Sequence, residues 1–247
     1  MFSKKVVLIT GATAGIGLDA AEYLARQDWA VILSGRRDSI GQEAVMRLKE
    51  AGHDVAFVHC DIGSEQSVAE LHNKAIAIWG RLDAAVNNAG ISTDTGRFAD
   101  LDTSKFRDMI DVNILGVFWS MQHQLKHMEA KNTGRIINIS SIAGRRGLPF
   151  HGTYAATKHA VIGMTKTAAL EYASQGVTVN AIAPGAIRTQ IMDNAIKSGK
   201  YTEESAADVF PVKKLGVAED ISRVILLILE SPYMTGAVVD VDGGFSA

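Results

Sequence analysis

Seven short apolar runs, separated by longer segments, constrain the fold of this 247-residue chain more than any other feature. The runs are residues 6–9, 30–33, 55–58, 84–86, 135–139, 177–182 and 237–241. Continuous apolar runs without alternation are typical of strands buried on both faces of a parallel sheet. Segments of helical length lie between them, at 17–27, 64–79, 103–130 and 154–174. This order predicts an α/β fold, a doubly wound parallel sheet of about seven strands with helices on both faces.

Composition excludes several classes of protein. The chain has 25 Lys and Arg against 27 Asp and Glu, a net charge of -2, so it lacks the basic surface that nucleic acid or an anionic membrane requires. Its one cysteine, Cys60, cannot form an internal disulfide, and no cysteine cluster predicts a metal site. No Pro-rich linker or repeat divides the sequence. We therefore expect one domain over 1–247, with a polar insertion at about 188–215.

No part of the sequence has the length of a membrane span. The apolar run at 6–9 is interrupted by Thr10 and Gly11 and is too short for the core of a signal peptide. The longest apolar run, 224–229, falls far short of the roughly 20 residues that cross a bilayer. We therefore expect a cytoplasmic protein.

The first predicted strand is followed by a glycine-rich turn that opens a helix, and it reads Thr10-Gly11-Ala12-Thr13-Ala14-Gly15-Ile16-Gly17. Glycines permit a tight turn and let a pyrophosphate approach the N–H groups at a helix N-terminus, where the helix dipole favours anions. The spacing G-x3-G-x-G differs from the commoner G-x-G-x-x-G pattern. Glycines also occur in plain turns, but this position directly after a strand indicates a nucleotide site.

Further motifs follow in a fixed order: Asn87-Asn88-Ala89-Gly90, Asn113, Ser141, Tyr154-x3-Lys158 and Pro184-Gly185. Together with the glycine-rich turn, they resemble the short-chain dehydrogenase/reductase family in its compact single-domain form. The resemblance covers nearly the whole chain. It implies a Rossmann-like domain, a nicotinamide cofactor and reversible hydride transfer between an alcohol and a carbonyl.

The spacing of Tyr154 and Lys158 suits proton transfer. A hydride moved onto a carbonyl leaves an alkoxide, so the site needs a proton donor whose pKa is near the working pH. The two residues are four apart in a predicted helix and share a face, where an ammonium favours the phenolate form of a tyrosine. We expect Tyr154 to be the acid/base, and the resemblance implies that Lys158 also holds the nicotinamide ribose. The alternative is an ordinary pair on an amphipathic helix.

Two more polar residues complete the expected catalytic set. Ser140 and Ser141 follow the fifth strand, and a hydroxyl there can donate to a substrate oxygen as negative charge develops. The resemblance selects Ser141 and leaves Ser140 as support, and it implies a proton relay at Asn113, which could otherwise be an ordinary mid-helix residue. A hydrolytic role for Ser141 would need a histidine base, and the nearest histidine, His151, stands in no recognisable hydrolase motif.

The resemblance also implies a set of cofactor contacts, in which Pro184-Gly185 turns the backbone toward the carboxamide and Asp61 meets the adenine or caps a helix. The set is Gly11, Thr13, Gly15, Ile16, Gly17, Arg36, Arg37, Asp61, Ile62, Asn87, Ala89, Gly90, Tyr154, Lys158, Pro184, Gly185, Ile187 and Thr189. Asn87 is expected at the adenine ribose, while Asn88 and Ala89 are expected to stabilise the turn.

The end of the second strand bears on the choice of cofactor. An acidic residue there would bind the ribose 2'-hydroxyl of NAD, whereas arginine accommodates the 2'-phosphate of NADP. This chain has Gly35 followed by Arg36 and Arg37, which favours NADP(H) over NAD(H). Ala14 departs from the pattern, since many NADP-preferring relatives carry a basic residue there, and the arginines could also be solvated charges.

Residues beyond the sixth strand are expected to cover the substrate or to pack as core. They are Met192, Ile196, Tyr201, Val209 and Phe210.

The two long helical segments are apolar over more than one face, which predicts a homo-oligomer. The resemblance implies a tetramer, in which these helices pair across one twofold axis and the carboxyl-terminal strands dock across a second. The residues concerned are Phe118, Trp119, Met121, Val161, Met164, Ala168 and Leu170. The alternative is that they pack within their own chain.

Two other functions stay open, a nonenzymatic NAD(P)-binding regulator and a sugar-nucleotide epimerase or dehydratase. The first would typically lack the tyrosine or the serine, and the second needs a further substrate domain.

Overall fold

The structure, a computed structural model, describes residues 2–93, 96–197, 199 and 202–247, without the side chains of 190, 191, 194 and 195. Its strands form one parallel sheet in the order β3-β2-β1-β4-β5-β6-β7. They are β1 Val6–Thr10, β2 Ala30–Gly35, β3 Val55–His59, β4 Ala84–Asn87, β5 Gly134–Ile139, β6 Val177–Pro184 and β7 Val238–Val241. All seven predicted strands are confirmed; β1, β4 and β6 are buried throughout, whereas β7 at the edge of the sheet is half-buried.

The helices lie between these strands and after β6. They are α1 Gly15–Arg26, α2 Asp38–Glu50, α3 Glu65–Trp79, α4 Thr103–Met109, α5 Gly116–Glu129, α6 Gly152–Tyr172, α7 Gln190–Lys197, α8 Glu203–Asp208 and α9 Ala218–Leu229. The predicted insertion at 188–215 therefore contains the short helices α7 and α8. No helix among the described residues is long and apolar enough to cross a membrane.

The prediction of one helix over 103–130 is wrong in its middle. A π-helical turn, Ile110–Leu115, separates α4 from α5. Such turns occur mostly as single interruptions and often at functional sites. Just after the turn, a Cβ atom at Gly116 would lie 2.6 Å from the carbonyl oxygen of Ile62, so α5 begins in close contact with the loop after β3.

The core consists of two apolar layers, one on each face of the sheet. Along β1, Val7 and Ile9 pack in the layer with α1, α2 and α9, whereas Val6 and Leu8 pack in the layer with α3, α5 and α6. All four side chains are fully buried. Full burial of an aliphatic side chain is worth roughly 1.5 to 3 kcal/mol, so both faces of this inner strand contribute strongly to stability.

The apolar residues of α5 and α6 are mostly part of the chain's own core. Met121, Val161 and Ala168 are buried, so for these three the alternative holds and they pack within their own chain. Trp119 and Met164 are partly buried against the same layer. The exposed members are Phe118 and Leu170, whose exposed fractions are 43% and 86%.

Candidate active site

Many of the predicted site residues lie on loops that leave the carboxyl edge of the sheet, and Asn113, Tyr154 and Lys158 lie on the helical segments beside it. Strand order reverses between β1 and β4, and ligands of open α/β sheets bind in the crevice at such a point. The two loops bordering this crevice touch through their backbones. A Cβ atom at Gly11, after β1, would lie 2.8 Å from the Cα atom of Ala89, after β4.

The turn between β1 and α1 has the geometry of an anion cradle. Gly11 and Gly15 have φ angles of +66° and +56°, which other residues adopt only with strain. A Cβ atom at Gly17 would lie 2.5 Å from the carbonyl oxygen of Gly11. Ala14, the N-cap of α1, makes no side-chain cap, and the first turn carries no acidic residue. The N–H of Leu18 already donates to the carbonyl oxygen of Ala14, so the N–H groups of Ile16 and Gly17 are those that suit a phosphate.

Thr10 and Asn88 hold the two loops together. The Thr10 hydroxyl accepts from the backbone N–H groups of Asn88 and Ala89 at 3.1 and 3.2 Å. The side-chain amide of Asn88 donates to the carbonyl oxygens of Thr10 and Gly11 at 2.9 and 3.3 Å. The predicted turn role of Asn88 is confirmed. Nothing in the sequence marks Thr10 beyond its place before Gly11.

The Asn87 side chain is directed into the interior and not into the crevice. Its Nδ2 atom donates to Gln124 at 3.0 Å and to Asn138 at 2.8 Å, while its Oδ1 atom accepts from Gln124 at 2.8 Å. Gln124 also lies 3.2 Å from Nε2 of His72. The amide of Asn87 is committed to this buried network, so the expected ribose contact at Asn87 would have to use its backbone.

Two arginines follow β2. Arg37 is turned toward the glycine-rich turn, where its Nε and Nη2 atoms donate to the Thr13 hydroxyl at 3.1 and 2.9 Å. Arg36 is exposed. A Cβ atom at Gly35 would lie 3.0 Å from the Thr13 methyl group. Two positive charges thus follow β2, and position 35, where an acidic residue would favour NAD, is a glycine.

The loop after β3 contains Asp61 and Ile62. Oδ1 of Asp61 accepts from the backbone N–H of Gly63 at 3.1 Å, which forms a local turn. The residue that caps α3 is Ser64, whose hydroxyl accepts from the N–H of Ser67. Capping of α3 by Asp61 is therefore wrong, and Asp61 instead shapes the loop beside the crevice.

Asn113 lies within the π-helical turn and is completely buried. Its Oδ1 atom accepts from the N–H of Ile91, and its Nδ2 atom donates to the carbonyl oxygen of Ile91, both at 2.8 Å. Nδ2 also donates to the Thr157 hydroxyl at 3.1 Å. A Cβ atom at Gly90 would lie 3.2 Å from Oδ1 of Asn113 and 3.4 Å from Nζ of Lys158. Gly90 thus lies between the two predicted catalytic groups.

Lys158 is buried on α6, with 4% of its surface exposed. Its Nζ atom donates to the carbonyl oxygen of Ile139 at 2.9 Å and lies 5.7 Å from the centroid of the Tyr154 ring. Burial lowers the pKa of Lys158 to about 8, because the charged ammonium loses its hydration. The predicted pairing of Tyr154 and Lys158 on one helix face is therefore present.

The two serines after β5 have different partners. The Ser140 hydroxyl donates to the carbonyl oxygen of Lys158 at 3.0 Å, which ties the strand end to α6. Oγ of Ser141 accepts from the N–H of Ala143 at 3.1 Å. That bond uses a lone pair of the hydroxyl oxygen and not its proton. Ser140 thus supports the site, as predicted, and Ser141 presents the hydroxyl at the start of the loop.

Tyr154 is the third residue of α6, three positions after His151, the N-cap residue of that helix. Its carbonyl oxygen accepts from the Thr157 hydroxyl at 2.8 Å. Thr157 therefore contacts both Tyr154 and Asn113. The sequence holds no signal for Thr157 beyond its place within Tyr-x3-Lys.

The loop after β6 approaches the glycine-rich turn. A Cβ atom at Gly15 would lie 3.3 Å from the methyl group of Thr189. Pro184 ends β6, and a Cβ atom at Gly185 would lie 2.9 Å from Cα of Asp242. Ile187 is buried and pairs with Gly216. The segment from Pro184 to Thr189 thus borders the same crevice as the predicted phosphate site.

The predicted lid residues have mixed environments. Met192 and Ile196 on α7 are half-buried, and Val209 is exposed. Phe210 is buried, and its ring centroid lies 5.3 Å from that of Phe245, so it packs as core. Tyr201 lies outside the described residues.

These features fit a dinucleotide. The uncapped N-terminus of α1 and the positive-φ glycines suit a pyrophosphate, and the close approach of Thr189 to Gly15 brings the β6 loop to the same place. No group of three or more metal-ligating side chains occurs in the described part of the chain.

Comparison with known proteins agrees with this geometry. Residues 5–199 match the family model described as short chain dehydrogenase. The cis-4-hydroxycyclohexanecarboxylate dehydrogenase of Sinomonas cyclohexanicum is 34% identical, covering 100% of this chain and 98% of that protein. The 2,5-dichloro-2,5-cyclohexadiene-1,4-diol dehydrogenase of Sphingobium indicum is 33% identical, covering 99% of this chain and 98% of that protein.

Solved structures are similar over the same length. The structure of ElxO with NADP bound has a TM-score of 0.93 and 39% sequence identity, covering 98% of this chain and 99% of that chain. Levodione reductase has a TM-score of 0.94 and 31% identity, covering 100% and 99%. The predicted Rossmann-like fold is confirmed. The chain belongs to the short-chain dehydrogenase family and is an oxidoreductase of alcohols or carbonyls that uses a nicotinamide cofactor.

Proposed function

We propose that the chain is an NADP-preferring alcohol dehydrogenase or ketoreductase in which Tyr154 is the acid/base. The observation that carries this proposal is the burial of the Lys158 ammonium 5.7 Å from the centroid of the Tyr154 ring. A bound nicotinamide supplies or takes up the hydride. In the direction of reduction, Tyr154 gives its hydroxyl proton to the substrate oxygen, and in oxidation it receives that proton.

Ser141 and Lys158 support this proton transfer in different ways. The Ser141 hydroxyl donates to the substrate oxygen as negative charge develops there. The ammonium of Lys158 stabilises the phenolate left on Tyr154, and its effect is strong because the surroundings have a low dielectric. Lys158 also holds the ribose hydroxyls of the cofactor in this proposal.

Asn113 positions the loop after β4 and borders the path by which Lys158 regains a proton. Both backbone groups of Ile91 are bound by the Asn113 amide, and Gly90 occupies the space between Asn113 and the ammonium. A side chain at Gly90 would fill that space. We place the proton relay here, through water between Asn113 and Lys158.

NADP preference rests on the charges after β2. Arg37 is fixed by Thr13 beside the glycine-rich turn, and Arg36 is exposed next to it. Guanidinium groups bind phosphate through charge-assisted hydrogen bonds. The NADP bound in the similar ElxO structure also supports this preference. The other contacts proposed for the cofactor are those predicted from the sequence, with Asn87 acting through its backbone.

The substrate is proposed to be an alcohol or ketone with an apolar body. A cavity of about 500 Å³ lies at the N-terminal end of α6, close in sequence to Tyr154. Its walls are residues 96–99, 148–150 and Gly152, and they include the exposed rings of Phe98 and Phe150. Two relatives are named for cyclohexane or cyclohexadiene alcohols. Apart from Arg97, these walls are apolar, and apolar walls suit such rings better than a sugar.

Replacement of Tyr154 by Phe tests the acid/base role. We expect Tyr154→Phe to lower kcat by about a hundredfold or more while cofactor binding is retained, because only the transferable proton is lost. Turnover is measured by nicotinamide absorbance with a panel of cyclic alcohols, ketones and sugar alcohols. The matched control is Tyr233→Phe, at a fully exposed tyrosine. Tight cofactor binding by the wild type without turnover of any substrate would favour the regulator instead.

Replacement of Arg36 by Leu tests the cofactor preference. It should raise the KM for NADPH about tenfold more than the KM for NADH, since a charge-assisted phosphate bond is worth roughly 1.5 to 3 kcal/mol. Arg223→Leu, on the distant helix α9, is the control. Equal effects on both cofactors would make Arg36 a surface charge.

A further inference from the structure

Two charged neighbours at the beginning of α2 are drawn to opposite sides of β2. Arg37 contacts Thr13, in the turn that follows β1. Asp38, the next residue, contacts β3 instead, where its Oδ1 atom lies 2.7 Å from Nδ1 of His59. Because β2 lies between β3 and β1 in the sheet, the guanidinium and the carboxylate are held beside different strands.

The position of His59 is fixed by the sheet. His59 is the last residue of β3 and pairs in register with Gly35, the last residue of β2. The N–H of Cys60 donates to the carbonyl oxygen of Gly35 at 3.1 Å, which holds the end of β3 against β2. The His59 ring therefore stands beside the proposed 2'-phosphate site, on its β3 side.

A carboxylate at this place affects a phosphate ligand. The side chains of Asp38 and His59 are both largely exposed, so an unpaired Asp38 could rotate toward Arg36 or Arg37. There it would neutralise their charge and repel a phosphate monoester. The contact with His59 holds the carboxylate away, as an ion pair when the ring is protonated and as a hydrogen bond when Nδ1–H donates from a neutral ring.

We propose that His59 is a positioning residue for NADP preference. It binds the Asp38 carboxylate on the β3 side and so leaves Arg36 and Arg37 available to the phosphate on the adenosine 2' oxygen. This inference rests on the proposed NADP preference.

The test uses two fragments that differ in the 2'-phosphate, adenosine 2',5'-bisphosphate and adenosine 5'-monophosphate, and measures their binding by calorimetry. In wild type, the bisphosphate should bind more tightly. His59→Ala should weaken the bisphosphate about three- to fivefold, the size typical of one exposed charge interaction, and should change the monophosphate less than twofold. Asp38→Asn added to His59→Ala should restore bisphosphate binding, because the repelling charge is gone. His53→Ala, just before the other end of β3, is the matched control.

The contrary outcomes distinguish failure of the NADP preference from failure of the role of His59. Equal binding of the two fragments by wild type would refute the NADP preference itself and this inference with it. A wild-type preference that His59→Ala leaves intact would overturn the role of His59 alone. So would an equal loss for both fragments, or a double variant that stays as weak as His59→Ala. Thermal unfolding of each variant checks that the fold is retained.

Discussion

The side-chain amide of Asn113 binds both backbone groups of Ile91, 22 positions earlier in the chain, at 2.8 Å each. An amide that pairs with the N–H and the C=O of one residue replaces the pairing that a neighbouring strand would provide. This contact fastens the loop after β4 to the π-helical turn. Through Thr157, the same amide is linked to α6, which carries Tyr154 and Lys158.

Loss of this amide should therefore affect stability and catalysis together. Asn113→Leu keeps a similar volume but leaves the N–H and C=O groups of Ile91 unpaired. We expect the free energy of unfolding to fall by about 2 kcal/mol or more and kcat to fall as well. Urea unfolding and steady-state kinetics measure the two effects. Asn73→Leu, at an exposed position of α3, is the control. An Asn113→Leu variant with wild-type stability and kcat would contradict the role.

The buried ammonium of Lys158 should make cofactor binding depend on pH. Its pKa is lowered to about 8 by burial, so the charge is present below pH 8 and is lost above it. Cofactor affinity, measured by calorimetry, should therefore decrease as the pH rises from 7 to 9.5. Lys158→Gln should bind the cofactor weakly at every pH and abolish this pH dependence, whereas Lys49→Gln, at an exposed position of α2, should retain it. A flat wild-type profile would argue against contact between Lys158 and the cofactor.

Buried His72 should make the fold sensitive to acid. Burial is the main cause that lowers its pKa to about 4, against about 6.5 in an unfolded chain. The unfolded state therefore binds more protons between pH 6.5 and 4, and stability is full above about 6.5 and decreases as pH falls through this range. We expect a loss of about 2 to 3 kcal/mol from His72 between pH 7.5 and 4.5.

Urea unfolding at the two pH values measures this loss. A neutral His72→Gln variant should show a pH dependence smaller by that amount, even though it is less stable at pH 7.5. His53→Gln should behave like wild type. Equal pH dependence in wild type and His72→Gln would show that other groups cause the acid sensitivity.

Association of the chain should involve Phe118 and Leu170, the exposed apolar residues of α5 and α6. The family resemblance implies a tetramer with two perpendicular twofold axes. Light scattering should give a mass several times 26.4 kDa, and Phe118→Glu with Leu170→Glu should lower it. Leu227→Glu, at another exposed leucine on α9, should leave it unchanged. A wild-type mass near 26.4 kDa across the working concentrations would exclude the oligomer.

The order of strands and motifs is determined by the sequence alone. A strand buried on both faces is mostly apolar, so inner strands such as β1 and β6 are recognisable as apolar runs. A turn that closes on a helix N-terminus needs glycine where φ is positive, and Gly11 and Gly15 are both such positions. The spacing of Tyr154 and Lys158 likewise follows from helix geometry. These features are local, and local patterns are what a sequence displays.

The tertiary structure alone decides where similar side chains are directed. Asn87 and Asn88 are adjacent and chemically identical, yet Asn87 ends β4 and binds Gln124 and Asn138 in the core, while Asn88 has left the strand and binds the β1 loop. No pattern in the sequence predicts the π-helical turn around Asn113 or the pairing of Asp38 with His59. Each depends on partners about 20 to 80 positions away in the chain, which only the packing of the sheet brings together.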